Sequence, residues 1–114
     1  MTSTGRAMDE CLLDVGSTAQ LSREHGTPLG VANARIALFR VGGRVVAVED
    51  ACLHCSSPLS DGRLEGAIVA CARCGWAYDL DAGSVMRLPA LRLNAFPVRV
   101  ERTRILLEWT PPPT

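Results

Sequence analysis

The chain has 114 residues, with 12 arginines, no lysine and 12 acidic side chains, so its formal charge is zero and its length fits one domain rather than two. Apolar residues make up 47% and charged residues 21%, ordinary values that exclude a disordered, collagen-like or coiled-coil chain. No apolar run approaches the roughly 20 residues of a membrane helix, the start lacks the apolar core of a secretory signal, and the arginines are scattered. The expectation is a cytoplasmic protein that has neither membrane nor nucleic acid as a partner.

Residues 1–9 are small and polar without periodicity, and Trp109 is followed by Thr-Pro-Pro-Pro-Thr, so both termini (1–9 and 110–114) are expected to be flexible around a domain at 10–109. Residues 11–15 read as a first strand. Ser17 and Gln20 have the spacing of a capping box, which predicts a short helix or turn that Gly26 terminates. Strands are predicted at 29–31, 35–41 and 45–49, the last two joined by the two-residue hairpin signal Gly42-Gly43. In the central one, Ile36, Leu38 and Arg40 alternate with Ala37, Phe39 and Val41, so one face meets a core and the other is partly covered. Residues 67–70 form a short apolar strand leading into Cys71, and 75–80 form another leading out of Cys74. A turn at 81–83, an irregular loop at 88–90 and a closing hairpin of 96–101 with 104–109 complete eight to ten short strands without a long helix. That spacing predicts an all-β protein, a small antiparallel sandwich or barrel.

Four of the five cysteines lie between residues 52 and 74, in Cys52-Leu53-His54-Cys55 and Cys71-Ala72-Arg73-Cys74. In a reducing compartment such clustering points to metal ligation before disulfides. Two registers are open. Read as CxxC, fifteen residues, CxxC, the spacing fits four thiolates on zinc or iron, and the small residues Ser56 and Gly75 that follow each pair permit a tight knuckle whose amides face sulfur. Read as CxH, sixteen residues, CxxC, the ligands are Cys52, His54, Cys71 and Cys74.

The stretch Cys52-Leu-His-Cys-Ser-Ser-Pro-Leu-Ser-Asp-Gly62, followed by Cys71-Ala-Arg-Cys-Gly-Trp-Ala-Tyr-Asp-Leu-Asp-Ala-Gly83, resembles the Rieske iron-sulfur domain, in particular its ferredoxin-type members. The similarity runs from about Pro28 to Glu108 and takes in Ala37-Leu-Phe-Arg-Val41 and Pro97-Val-Arg-Val-Glu101. It implies a small antiparallel Rieske-like sandwich with a cluster-binding subdomain at about 51–80, in which two facing loops hold a 2Fe-2S cluster with two Cys on one iron and two His on the other. Cys52 and Cys71 match the family's cysteines, His54 its first histidine, and Cys74 stands where the second histidine belongs. The implied ligand set is therefore Cys52, His54, Cys71 and Cys74, with the Cys55 side chain pointing away. The family's loop-stapling disulfide falls on Ser57 and Arg73 and is absent. The implied role is one-electron transfer from a reductase to an oxygenase or other redox enzyme.

The remaining candidates read more simply. Cys11 is a small apolar residue, His25 a solvated residue near a helix end, and Asp79 and Asp81 are turn carboxylates. Trp76 and Tyr78 fill core or screen the cluster, and Leu88-Pro89 matches the family's proline-containing loop over it. Neither histidine is free to serve a nucleophile, and no phosphate-binding glycine loop is present, so the chain reads as a carrier rather than an enzyme. Two rival readings stand beside it: a four-thiolate zinc or iron domain, and a Rieske-fold small subunit without a cluster.

Overall fold

The computed structural model describes residues 11–109, so the predicted flexibility of 1–9 and 110–114, and the packing of the Cys11 side chain, lie outside the described residues. Among the described residues eleven strands form three antiparallel sheets: β1 (Cys11–Ser17), β2 (Thr27–Val31), β3 (Ala34–Val41), β4 (Arg44–Glu49), β5 (Arg63–Glu65), β6 (Ile68–Ala70), β7 (Ala77–Asp79), β8 (Ser84–Val85), β9 (Ala95–Phe96), β10 (Val98–Glu101) and β11 (Arg104–Trp109). The sheet orders are β1-β11-β10, β2-β3-β4-β9 and β5-β6-β7-β8. The all-β expectation holds.

Local chemistry accounts for the turns. Val41 pairs with Arg44 across Gly42-Gly43, and Gly42 takes the left-handed conformation (φ 61°) that such a hairpin demands. The capping box is present: the Ser17 hydroxyl accepts the Ala19 N–H, and the Gln20 side chain accepts the Ser17 N–H at 3.0 Å. It supports only one 3-10 turn, Thr18–Gln20, and that turn ends at Leu21 rather than at Gly26. Gly26 serves close packing instead, since a Cβ there would lie 2.8 Å from the Phe39 ring.

β3 is covered more completely than its alternation suggested. Ile36 and Leu38 face a core with Leu21, Val31, Ala47, Ile105, Leu107 and Trp109. Ala37, Phe39 and Val41 join a second core with Leu59, Leu64, Val69, Tyr78 and Leu80. One strand therefore holds the sandwich on one side and the metal-loop sheet on the other. The predicted strand over 96–101 is divided at Pro97, which has no N–H to give a ladder. Before it Phe96 pairs with Ala47 of β4, and after it Val98 pairs with Leu107 of β11, so the chain changes sheets there.

Candidate metal centre

The sheet β5-β6-β7-β8 carries one cysteine cluster on the loop that leads into it and the other on the turn between β6 and β7. Cys52, Cys55, Cys71 and Cys74 offer sulfurs that all lie within 4.8 Å of one another. Cys52 and Cys74 are 3.6 Å apart and Cys55 and Cys71 are 3.5 Å apart, so the short contacts run between the loops. His54 is not in this group. Its exposed ring stacks on Trp76, with centroids 4.6 Å apart and planes at 18°. Of the residues the resemblance implied, the fold thus gathers Cys52, Cys71 and Cys74, and the fourth donor beside them is Cys55.

A shared backbone pattern explains that choice. In the first loop the Ser56 N–H donates to Cys52 O at 2.9 Å and the Cys52 N–H to Ser57 O at 2.8 Å. In the second, the Gly75 N–H donates to Cys71 O at 3.0 Å and the Cys71 N–H to Trp76 O at 2.8 Å. Ser56 (φ 66°) and Gly75 (φ 84°) both adopt the left-handed conformation that closes each knuckle. Burial repeats too: Cys52 and Cys71 are buried, Cys55 and Cys74 half-buried, and the residues between them exposed. His54 occupies the position of Arg73 in this repeat and, like it, faces outward. The small residues after each CxxC were the sequence signal for this arrangement.

The electrostatics fit a cation. Burial works against ionisation of Cys52, but the Tyr78 hydroxyl, the Cys55 and His54 amides and the Cys74 thiol outweigh it and hold its pKa below the usual thiol range. The Ser57 hydroxyl and amide, helped by neighbouring thiols and opposed by desolvation, bring Cys55 down to about 6. At Cys74 the Trp76 amide favours the thiolate, yet desolvation and hydrogen bonds to Cys52, Cys55 and Cys71 push the thiol up to about 12. Charge concentrated on four sulfurs resists further ionisation until a metal neutralises it.

Tyr78 is fully buried and locks the first loop. Its oxygen accepts the Leu53 N–H at 2.8 Å and lies 3.1 Å from Cys52 Sγ, to which it is the donor once Cys52 is a thiolate. Its own ionisation is pushed up, by burial first and by Cys52 next. At the base of the loop the buried Asp50 carboxylate accepts both the backbone N–H (2.8 Å) and the hydroxyl (2.7 Å) of Ser60, clamping the segment that contains Cys52 and Cys55. Asp79 accepts the Asp81 and Ala82 amides, the turn role expected of it, and His25 is exposed.

Residues 11–97 match the family of the Rieske [2Fe-2S] domain. The chain belongs to the Rieske family. This Rieske chain is 30% identical over 86 residues to the ferredoxin component of the naphthalene 1,2-dioxygenase system of Pseudomonas putida, covering 73% of this chain and 83% of that one. It is 39% identical over 75 residues to the 3-phenylpropionate/cinnamic acid dioxygenase ferredoxin subunit of Shigella boydii serotype 4 (strain Sb227), covering 64% of this chain and 71% of that one. The ferredoxin of carbazole 1,9a-dioxygenase from Nocardioides aromaticivorans IC177 superposes with a TM-score of 0.76 at 25% identity, over 85% of this chain and 96% of that structure. The residues present fit an iron-sulfur group by their donor chemistry, because thiolate is the ordinary ligand of cluster iron and each of the two loops supplies a pair.

Proposed function

We propose that this Rieske protein is an electron carrier that takes single electrons from a reductase and delivers them to an oxygenase, working in the cytoplasm, where its free thiols are stable. The observation that carries the reading is the placement of four cysteines, Cys52 and Cys55 on one loop and Cys71 and Cys74 on the other, in a Rieske fold. Among the described residues no helix is long and apolar enough to cross a membrane. The kinship with ferredoxin components of dioxygenase systems supports the choice of partners. When bound, a 2Fe-2S cluster supplies one reversible one-electron couple.

The chain's own residues hold and tune that group. Cys52 and Cys71, 2% and 3% exposed, are the inner ligands, and the half-buried Cys55 and Cys74 are the outer ones, nearest a partner. Tyr78 fixes the Cys52 sulfur, and the His54–Trp76 stack covers the loops without donating a ligand. Around them Leu53, Met86 and Leu88 are nearly half exposed, an apolar rim suited to transient docking. Met86 and Leu88, with Trp76 and Gly75, line a groove of about 360 Å³ beside Cys74. No bond of a substrate is made or broken by this chain.

Metal and sulfide analysis of anaerobically purified protein tests the proposal. The expected result is about two iron and two acid-labile sulfide per chain with a rhombic spectrum on one-electron reduction. A chain that, once stripped of any bound metal, takes up no iron and sulfide would sink it.

A further inference from the structure

The four sulfurs are not only convergent but compact. Two separations across the loops are 3.5 and 3.6 Å, and none of the six exceeds 4.8 Å. A tetrahedral ion with metal–sulfur bonds of about 2.3 Å places its ligand sulfurs about 3.8 Å apart. A binuclear cluster divides its ligands between two irons and draws the two pairs apart, so the observed spacing is the scale of a single ion. The backbone agrees with the sulfurs. Each loop closes with the same pair of hydrogen bonds and a left-handed residue after its second cysteine. An all-sulfur set without a carboxylate favours zinc-class ions over magnesium or calcium.

We propose that these four thiols, when they carry no cluster, bind one tetrahedral divalent ion of the zinc class, so that zinc and the iron-sulfur cluster compete for one site. The inference rests on the four-thiolate ligand set given above, and not on electron transfer. Each thiol that is still protonated gives its proton to solvent as its sulfur–metal bond forms. No oxidation or reduction accompanies the exchange.

Cobalt reports the geometry directly. The full chain carrying Cys11→Ser, freed of metal and reduced with a phosphine under anaerobic conditions, is titrated with Co²⁺ and then with Zn²⁺. Saturation is expected at one Co²⁺ per chain, with the intense visible bands of tetrahedral cobalt and thiolate-to-cobalt charge transfer, all bleached by one equivalent of Zn²⁺. His54→Ala should leave the spectrum unchanged, whereas Cys55→Ser should weaken binding more than about 100-fold, beyond what loss of a supporting group costs. Zinc-loaded chain should gain no cluster absorption from iron and sulfide until a chelator removes the zinc. Weak octahedral bands, binding of two ions, or a spectrum that changes in His54→Ala would overturn the proposal, and these readouts need no folded Cys55 variant. If cobalt binds one to one but iron and sulfide never assemble on the metal-free chain, the electron-carrier reading fails and the ion site stands. If the cluster assembles and the cobalt bands stay weak, the ion site alone fails.

Discussion

Cys55 and His54 are chain neighbours that the first loop sends in different directions, the thiol inward to the quartet and the imidazole outward onto Trp76. Replacing Cys55 with Ala should therefore abolish the visible cluster absorption, while His54→Ala should keep full iron and sulfide content and lose only the stack. A chain in which the outcomes were reversed would return the fourth position to His54. Tyr78 makes a subtler contribution. Its hydroxyl donates to Cys52 Sγ and accepts from Leu53, and the first of these bonds strengthens as the cluster gains negative charge. Tyr78→Phe removes both, so the reduced form loses more than the oxidised one and the potential should fall. A differential of about 1 kcal/mol corresponds to about 43 mV for one electron. Voltammetry of the two proteins measures it, and thermal unfolding should show an accompanying loss of about 1 kcal/mol.

Among the elements, the long strands and their turns were legible in the sequence because alternation and Gly-Gly chemistry act locally. β3, β4, β11 and the Ser17–Gln20 cap all sit where pattern and turn residues place them. β5 and β8 have three and two residues, too few for a period to register. The break at Pro97 was visible as a residue but not as a change of sheet, because that depends on which strands lie alongside. The site divided the same way. Both CxxC pairs and their small followers were readable, yet the resemblance favoured His54, and only the fold sets the two loops side by side and aligns Cys55 with Cys74. The segment between the loops is held by contacts that sequence cannot show. A Cβ on Gly62 would lie 2.1 Å from the Ala70 carbonyl oxygen, one residue before Cys71. Gly62→Ala must move that backbone, so it should cost about 3 kcal/mol in denaturant unfolding and make the cluster labile to chelators. Asp50→Ala should act at the other loop by leaving the buried Ser60 N–H without an acceptor, at about 2 kcal/mol.

At the scale of the whole molecule, the partners this protein can serve depend on where its potential lies. The chain as a whole is formally neutral, so the charge that the moving electron meets is dominated by the ligands. With the proposed four-thiolate set, two thiolates in place of two neutral imidazoles would put up to two more negative charges beside the irons, which stabilises the oxidised cluster over the reduced one and lowers the potential. Clusters with two His ligands span roughly −150 to +300 mV and all-Cys plant-type clusters lie near about −400 mV, so this protein should sit with the second group. It would then accept electrons only from a strongly reducing partner and pass them downhill to an oxygenase of the usual Rieske potential. The pH profile carries the same signature. A ligand imidazole that loses its proton adds negative charge to the oxidised state and makes the potential fall as pH rises, but with thiolate ligands alone no such group exists and the profile should be flat. Cys74→His should raise the potential and introduce one such fall, provided the cluster assembles. Voltammetry of both proteins across pH decides the point, and a wild-type potential above about −150 mV, or one that falls steeply with pH, would mean that imidazole is on the iron after all.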